Sequence, residues 1–152
     1  MKNKKLSNIE IKGLLGPGSR FDGVIKFDGT LRIDGMVYGQ INCKNTNPSM
    51  VIITELAVVE ADIVADVVII SGMVTGNIKA IERLEIRSPG RFEGLCYSSE
   101  LSIEEGALFQ GESIMIKHFS EEDKKSIKME GFYDIHNNKL LHSNPQPIKT
   151  PP

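Results

Sequence analysis

The residues best equipped for chemistry are the histidines, cysteines and paired carboxylates, and their spacing argues against catalysis. His118, His136 and His142 all lie toward the C-terminal end, beyond any repeated pattern in the chain. The preceding residues therefore offer no imidazole as a general base or for a histidine-rich zinc site. Ser71 and Ser102 lack a histidine companion for a nucleophilic triad. Cys43 and Cys96 are far apart with no CxxC spacing, which suggests neither a zinc site nor a disulfide framework and fits a reduced cytoplasm. Glu82 with Glu85, and Glu104 with Glu105, could in principle act as the acid and nucleophile of glycoside cleavage. Acidic residues on solvent-facing strand positions are more simply solubilising. Gly16-Pro17-Gly18-Ser19 lacks the following lysine and helix of a phosphate loop. The expectation is a non-enzyme with no catalytic residue, no metal and no cofactor.

The elements carrying these residues are repetitive, and the repeat is the strongest signal in the chain. An apolar-any-small-any-apolar (or small) pattern recurs six times: Phe21 to Ile25, Val37 to Ile41, Val59 to Ile63, Val74 to Ile78, Phe92 to Cys96 and Phe109 to Ser113. The central residues are Gly23, Gly39, Ala61, Gly76, Gly94 and Gly111, separated by 16, 22, 15, 18 and 17 residues, a mean of 17.6. The long interval contains Asn45-Thr46-Asn47-Pro48-Ser49, a cluster of turn formers that reads as a loop bulging from a regular repeat. A second apolar alternation precedes most copies, as in Leu31/Ile33, Val51/Ile53, Val68/Ile70, Leu84/Ile86 and Leu101/Ile103. Alternation together with β-branched residues specifies strands. A unit of 17 to 18 residues cannot bury its apolar face alone, but it can when coiled once and stacked on a neighbour. Neighbouring strands lie ~4.8 Å apart, so six windings make a rod of roughly 29 Å. A small β-sandwich is the alternative, but its strands recur every 8 to 12 residues or so without preserved side-chain identity. The expected fold is an all-β parallel β-helix over residues 11–117, between a short flexible segment at 1–10 and a polar, proline-containing disordered tail at 118–152.

Composition bounds the partners. Charged residues make up 25% and hydrophobic residues 40% of the 152, ordinary for a soluble protein. A net charge of -2 supplies no basic field for nucleic acid. The most apolar window, Ala57 to Val74, contains Glu60, Asp62 and Asp66, too many charges for a spanning helix. No apolar run of signal-peptide kind follows the lysines of Met1–Lys5. A cytoplasmic protein is expected.

Three stretches resemble the bactofilins, a family of bacterial cytoskeletal proteins: Leu31-Arg32-Ile33-Asp34-Gly35-Met36-Val37-Tyr38-Gly39-Gln40-Ile41, Val68-Ile69-Ile70-Ser71-Gly72-Met73-Val74-Thr75-Gly76-Asn77-Ile78 and Leu101-Ser102-Ile103-Glu104-Glu105-Gly106-Ala107-Leu108-Phe109-Gln110-Gly111. The resemblance covers roughly residues 11–117. It implies a right-handed β-helix of about six windings that polymerises without nucleotide through its terminal windings, like ends meeting, and serves cell shape or envelope organisation. Phe109 matches an aromatic in the last winding that supports the polymer contact. The same resemblance admits peripheral attachment to the cytoplasmic face of the inner membrane, for which Lys2, Lys4 and Lys5 are the available lipid contacts. About 1 kcal/mol for each basic residue near an anionic surface is weak alone, and avidity along a filament would add to it.

Physical reasoning points to the same ends. A β-helix terminates in a strand edge whose backbone groups have no partner, and monomeric solenoids cap theirs with polar elements. Leu14 and Leu15 at the start, and Leu108, Phe109 and Ile114 at the finish, are candidate contact residues between copies. The tail contributes Ser120-Glu121-Glu122-Asp123-Lys124-Lys125, Phe132-Tyr133-Asp134-Ile135 as either a short docking motif or an unused apolar remnant, and Pro145-Gln146-Pro147-Ile148 as a candidate docking segment for wall-modifying or envelope proteins. The rival function is a β-helical docking module that does not polymerise.

Overall fold

The computed structural model describes residues 11–44 and 48–130. Ten strands form among them: β1 (Ile11–Leu15), β2 (Arg20–Phe27), β3 (Thr30–Ile33), β4 (Met36–Cys43), β5 (Met50–Ile53), β6 (Val58–Ile70), β7 (Met73–Ile86), β8 (Arg91–Ser98), β9 (Leu101–Ile103) and β10 (Leu108–Met115). A helix, α1 (Glu121–Glu130), follows. The pairings between these strands are parallel, and each segment sits on the one a winding earlier. The result is a β-solenoid of six windings, in which β6 and β7 each run through two sides of the coil.

The ladder preserves the repeat residue for residue. Phe21, Val37, Val59, Val74, Phe92 and Phe109 stack in one column, and Leu15, Ile33, Ile53, Ile70, Ile86 and Ile103 in another. Both point inward, as strand alternation requires. The core is therefore a set of parallel apolar columns with no other source of burial than winding on winding.

The small residue of each copy lies where the strand turns. Gly39, Gly76, Gly94 and Gly111 take φ between 136° and 147°. A Cβ there would lie 1.8 to 2.1 Å from a carbonyl oxygen of the preceding winding. At Ala61 the corner is built differently, because no residue other than glycine has positive φ among those described. The β6–β7 register passes from Glu60–Thr75 directly to Ile63–Ile78. Asp62 fills the gap, its Oδ1 accepting the Asn77 backbone N–H at 3.1 Å and side-chain amide at 3.2 Å.

The long second connection leaves the stacking intact. Lys44 N donates to Phe27 O and Met50 N to Gly29 O, both at 2.9 Å, and β5 then pairs with β3 in register. At another corner, the Thr54 hydroxyl donates to the Asp34 carboxylate, which also receives Arg32 Nε. The Thr54 bond and Arg32 hold the Asp34 carboxyl below its usual value against the opposing effect of burial.

The expectation of a disordered tail from residue 118 fails over Glu121–Glu130. Ser120 Oγ accepts the Asp123 N–H at 3.0 Å, an N-cap, and Glu121, Glu122 and Asp123 place negative charge in the first turn. Ile127 and Phe119 pack with Leu95 and Ile114 against Ile81, Tyr97 and Ile116, a second apolar cluster on the outside of the solenoid. Lys128 Nζ reaches Asp66 Oδ2 at 2.9 Å. Ten residues of helix span about 15 Å, close to three winding steps of ~4.8 Å, and α1 accordingly lies along the flank from the sixth winding back to the third. The rest of the tail with its two candidate motifs, and residues 1–10 with Lys2, Lys4 and Lys5, lie outside the described residues.

Candidate contact surfaces at the two ends

Of the groups considered for chemistry, Glu85 and Glu104 are engaged elsewhere. Glu85 is gripped by Arg83 Nε and by Arg87 Nη2. Burial pushes its carboxyl up, but the two arginines outweigh this and hold it below the ordinary range. Glu104 Oε1 accepts the Ser88 N–H at 2.7 Å, tying one corner to the next. Burial pushes the thiols of Cys43 and Cys96 up, away from the reactive thiolate. Among the described residues no group of His, Cys, Asp and Glu is arranged to hold a metal ion.

What distinguishes the molecule is the contrast between its middle and its ends. In the isoleucine column, Ile33, Ile53, Ile70 and Ile86 are at most 1% exposed, whereas Ile103 in the last winding is 46% exposed. In the valine-phenylalanine column the four inner members are similarly buried, whereas Phe21 and Phe109 at its two ends are only partly covered. Phe109 rests edge-on against Phe92, ring centroids 5.5 Å apart at 79°. Leu15 and Ile25 at the start, and Leu101, Ala107 and Phe109 at the finish, are half-buried against the core. The outer edges of β1 and β2, and of β9 and β10, pair with no described strand. Among the described residues, each end thus presents open backbone groups around a partly wet apolar floor.

The five candidate contact residues divide accordingly. Leu15 and Phe109 form part of these two floors. Leu14 and Leu108 point outward beside them, 64% and 38% exposed. Ile114 does not face the end; it belongs to the flank cluster beneath α1. Phe21, Ile25, Leu101 and Ile103 were passed over, although their place in the first or last copy of the repeat is the signal that would have found them. A repeat position without a neighbour above or below must end its column exposed.

The sequence profile of the bactofilins, described as polymer-forming cytoskeletal, matches residues 13–114. The chain belongs to the bactofilin family. The matched stretch runs from β1 into β10 and stops short of α1. Among curated bactofilins, the chain is 36% identical over 98 residues to BacO of Myxococcus xanthus (strain DK1622), covering 64% of this chain and 75% of BacO. It is 31% identical over 105 residues to BacP of the same organism, covering 69% of this chain and 42% of BacP. The structure of the cytoskeletal bactofilin BacA, determined by solid-state NMR, superposes with a TM-score of 0.56 at 28% identity, covering 67% of this chain and 93% of that one. Among the described residues of this bactofilin, no helix is long and apolar enough to cross a membrane.

Proposed function

We propose that this bactofilin polymerises end to end through its first and last windings, without nucleotide, and that the filament serves as a scaffold for cell shape or envelope organisation. The observation carrying this reading is the exposure of Ile103 at the end of a column whose inner members are fully buried. A further copy stacked on either end would cover the apolar floor and pair the open edges, extending the contacts that already hold each winding to the next. Binding of wall-modifying or envelope proteins, and peripheral attachment to the inner membrane through Lys2, Lys4 and Lys5, belong to the same proposal. A filament repeats weak contacts at fixed spacing and so strengthens them by avidity.

The test compares the wild type with Phe109→Arg and Leu108→Glu by negative-stain microscopy and sedimentation, without nucleotide and at two salt concentrations. Burying an unpaired guanidinium costs several kcal/mol, and about 2.7 kcal/mol already corresponds to a 100-fold rise in the concentration needed for assembly. Wild-type filaments and small soluble variants with unchanged β circular dichroism are expected. Leu108 is exposed, so its variant tests the contact without disturbing the core. A wild type that stays monomeric or dimeric at both salts overturns the proposal in favour of a docking module.

A further inference from the structure

The flank on which α1 lies continues past the end of the helix. One outward register position of β2, β4, β6, β7, β8 and β10 reads Lys26, Asn42, Val64, Lys79, Tyr97 and Ile114 from first winding to last. Tyr97 and Ile114 pack in the cluster with Ile127 and Phe119. Lys79 Nζ donates to Ile127 O at 3.3 Å, and Lys128 pairs with Asp66 at 2.9 Å. The last turn of α1 therefore reaches the corner between the third and fourth windings. Val64 and then Asn42 come next along the column.

Both residues are covered in a way that the described elements leave unexplained. Val64 points outward, yet it is 1% exposed, and it belongs to neither apolar cluster formed among the described residues. Val24 and Met73, outward as well, are 52% and 45% exposed. Asn42 Nδ2 donates to Gln40 Oε1 at 3.3 Å, whereas Asn42 Oδ1 is buried without a donor. A buried amide oxygen of this kind calls for a partner. The chain that continues from this spot is the stretch after α1. The helix ends at Glu130, and Gly131-Phe132-Tyr133-Asp134-Ile135 follow. Five extended residues span about 17 Å, more than three winding steps of ~4.8 Å, which is enough to pass Val64 and Asn42 and reach Lys26. Phe132, Tyr133 and Ile135 match the apolar Val64, and Asp134, the one charge in the run, matches the Lys26 ammonium.

We propose that Phe132-Tyr133-Asp134-Ile135 docks on this column over Val64 and Asn42, as a continuation of α1, and supplies the donor that Asn42 Oδ1 lacks. The occupant of the surface is thus the chain's own tail. The contact fixes where the rest of that tail emerges, on the side of the rod and not across either apolar floor. Pro145-Gln146-Pro147-Ile148 is then displayed from the flank, once per copy. The inference does not depend on the end-to-end reading.

Two measurements on the full-length chain test it. In a Cys43→Ser background, with Cys96 fully buried, Val64→Cys places a thiol at the covered position. Its labelling by a small maleimide is compared with and without Phe132→Asp and Ile135→Asp. Labelling is expected to be roughly tenfold faster in the chain with the tail substitutions. Hydrogen exchange gives the reciprocal view: amides of residues 132–135 should exchange roughly tenfold more slowly than those of residues 140–152. Val64→Glu should abolish that difference while Glu121–Glu130 stays protected. Equal labelling rates would overturn the inference, because Val64 is then covered by something else. Exchange at residues 132–135 as fast as in the rest of the tail would overturn it too, the motif then being free for a partner, as would protection that survives Val64→Glu.

Discussion

Two residues at equivalent corners, Gly94 and Ala61, show how much one methyl group decides. At Gly94 a Cβ would stand 1.8 Å from Gly76 O, on a backbone with φ 147°. No side chain can relax around a backbone oxygen held in a ladder, so strain and steric conflict add. Gly94→Ala should cost about 3 kcal/mol or more, read as a lower urea midpoint. Gly16, where an added Cβ meets nothing within 4 Å, supplies the contrast: Gly16→Ala should be neutral or stabilise by about 0.5 kcal/mol. Ala61 escapes the penalty because its winding gives up part of the ladder and lets Asp62 take the Asn77 N–H. The alanine changes the local hydrogen bonding and leaves the columns on either side in register.

At the scale of elements, strands and their stacking order were legible because solenoid repeats are local in sequence. A pattern written six times at a mean spacing of 17.6 residues fixes which side chain lies above which. Leu15 and Phe109 were named as contact candidates from their place near the two ends and, for Phe109, from the family resemblance, and both are half-buried against the core. The same reasoning misplaced Ile114, because alternation tells inward from outward but does not say what covers the outward face. The helix went unread for a related reason: Ser120 to Lys125 looks like a solvated charge run unless Ser120 and Asp123 are taken as a capping pair and Ile127 as the anchor on Tyr97 and Ile81. Since α1 depends on that cap, Ser120→Ala should weaken it by about 1 kcal/mol. Tryptic cutting at Lys124 and Lys125 should then quicken roughly fivefold, with the solenoid's β circular dichroism unchanged.

At the scale of the molecule, a rod with an open floor at each end can join its copies in two ways. Like ends meeting form two different joints, whereas opposite ends meeting form one joint repeated. Phe21→Arg and Phe109→Arg each block one end and separate these cases by sedimentation. The like-end arrangement implied by the family resemblance predicts dimers from each variant alone, held by the end left intact. Opposite-end contact would instead give monomers from each variant and dimers only on mixing. The long second connection bears on how such filaments can be observed. Because the ladder closes on both sides of it, at Lys44 on Phe27 and at Met50 on Gly29, the chain already tolerates extra residues there without shifting a column. A fluorescent or affinity label spliced between Lys44 and Pro48 should therefore leave the columns in register and the protein able to assemble, so that the labelled chain can be followed in place of the bare one.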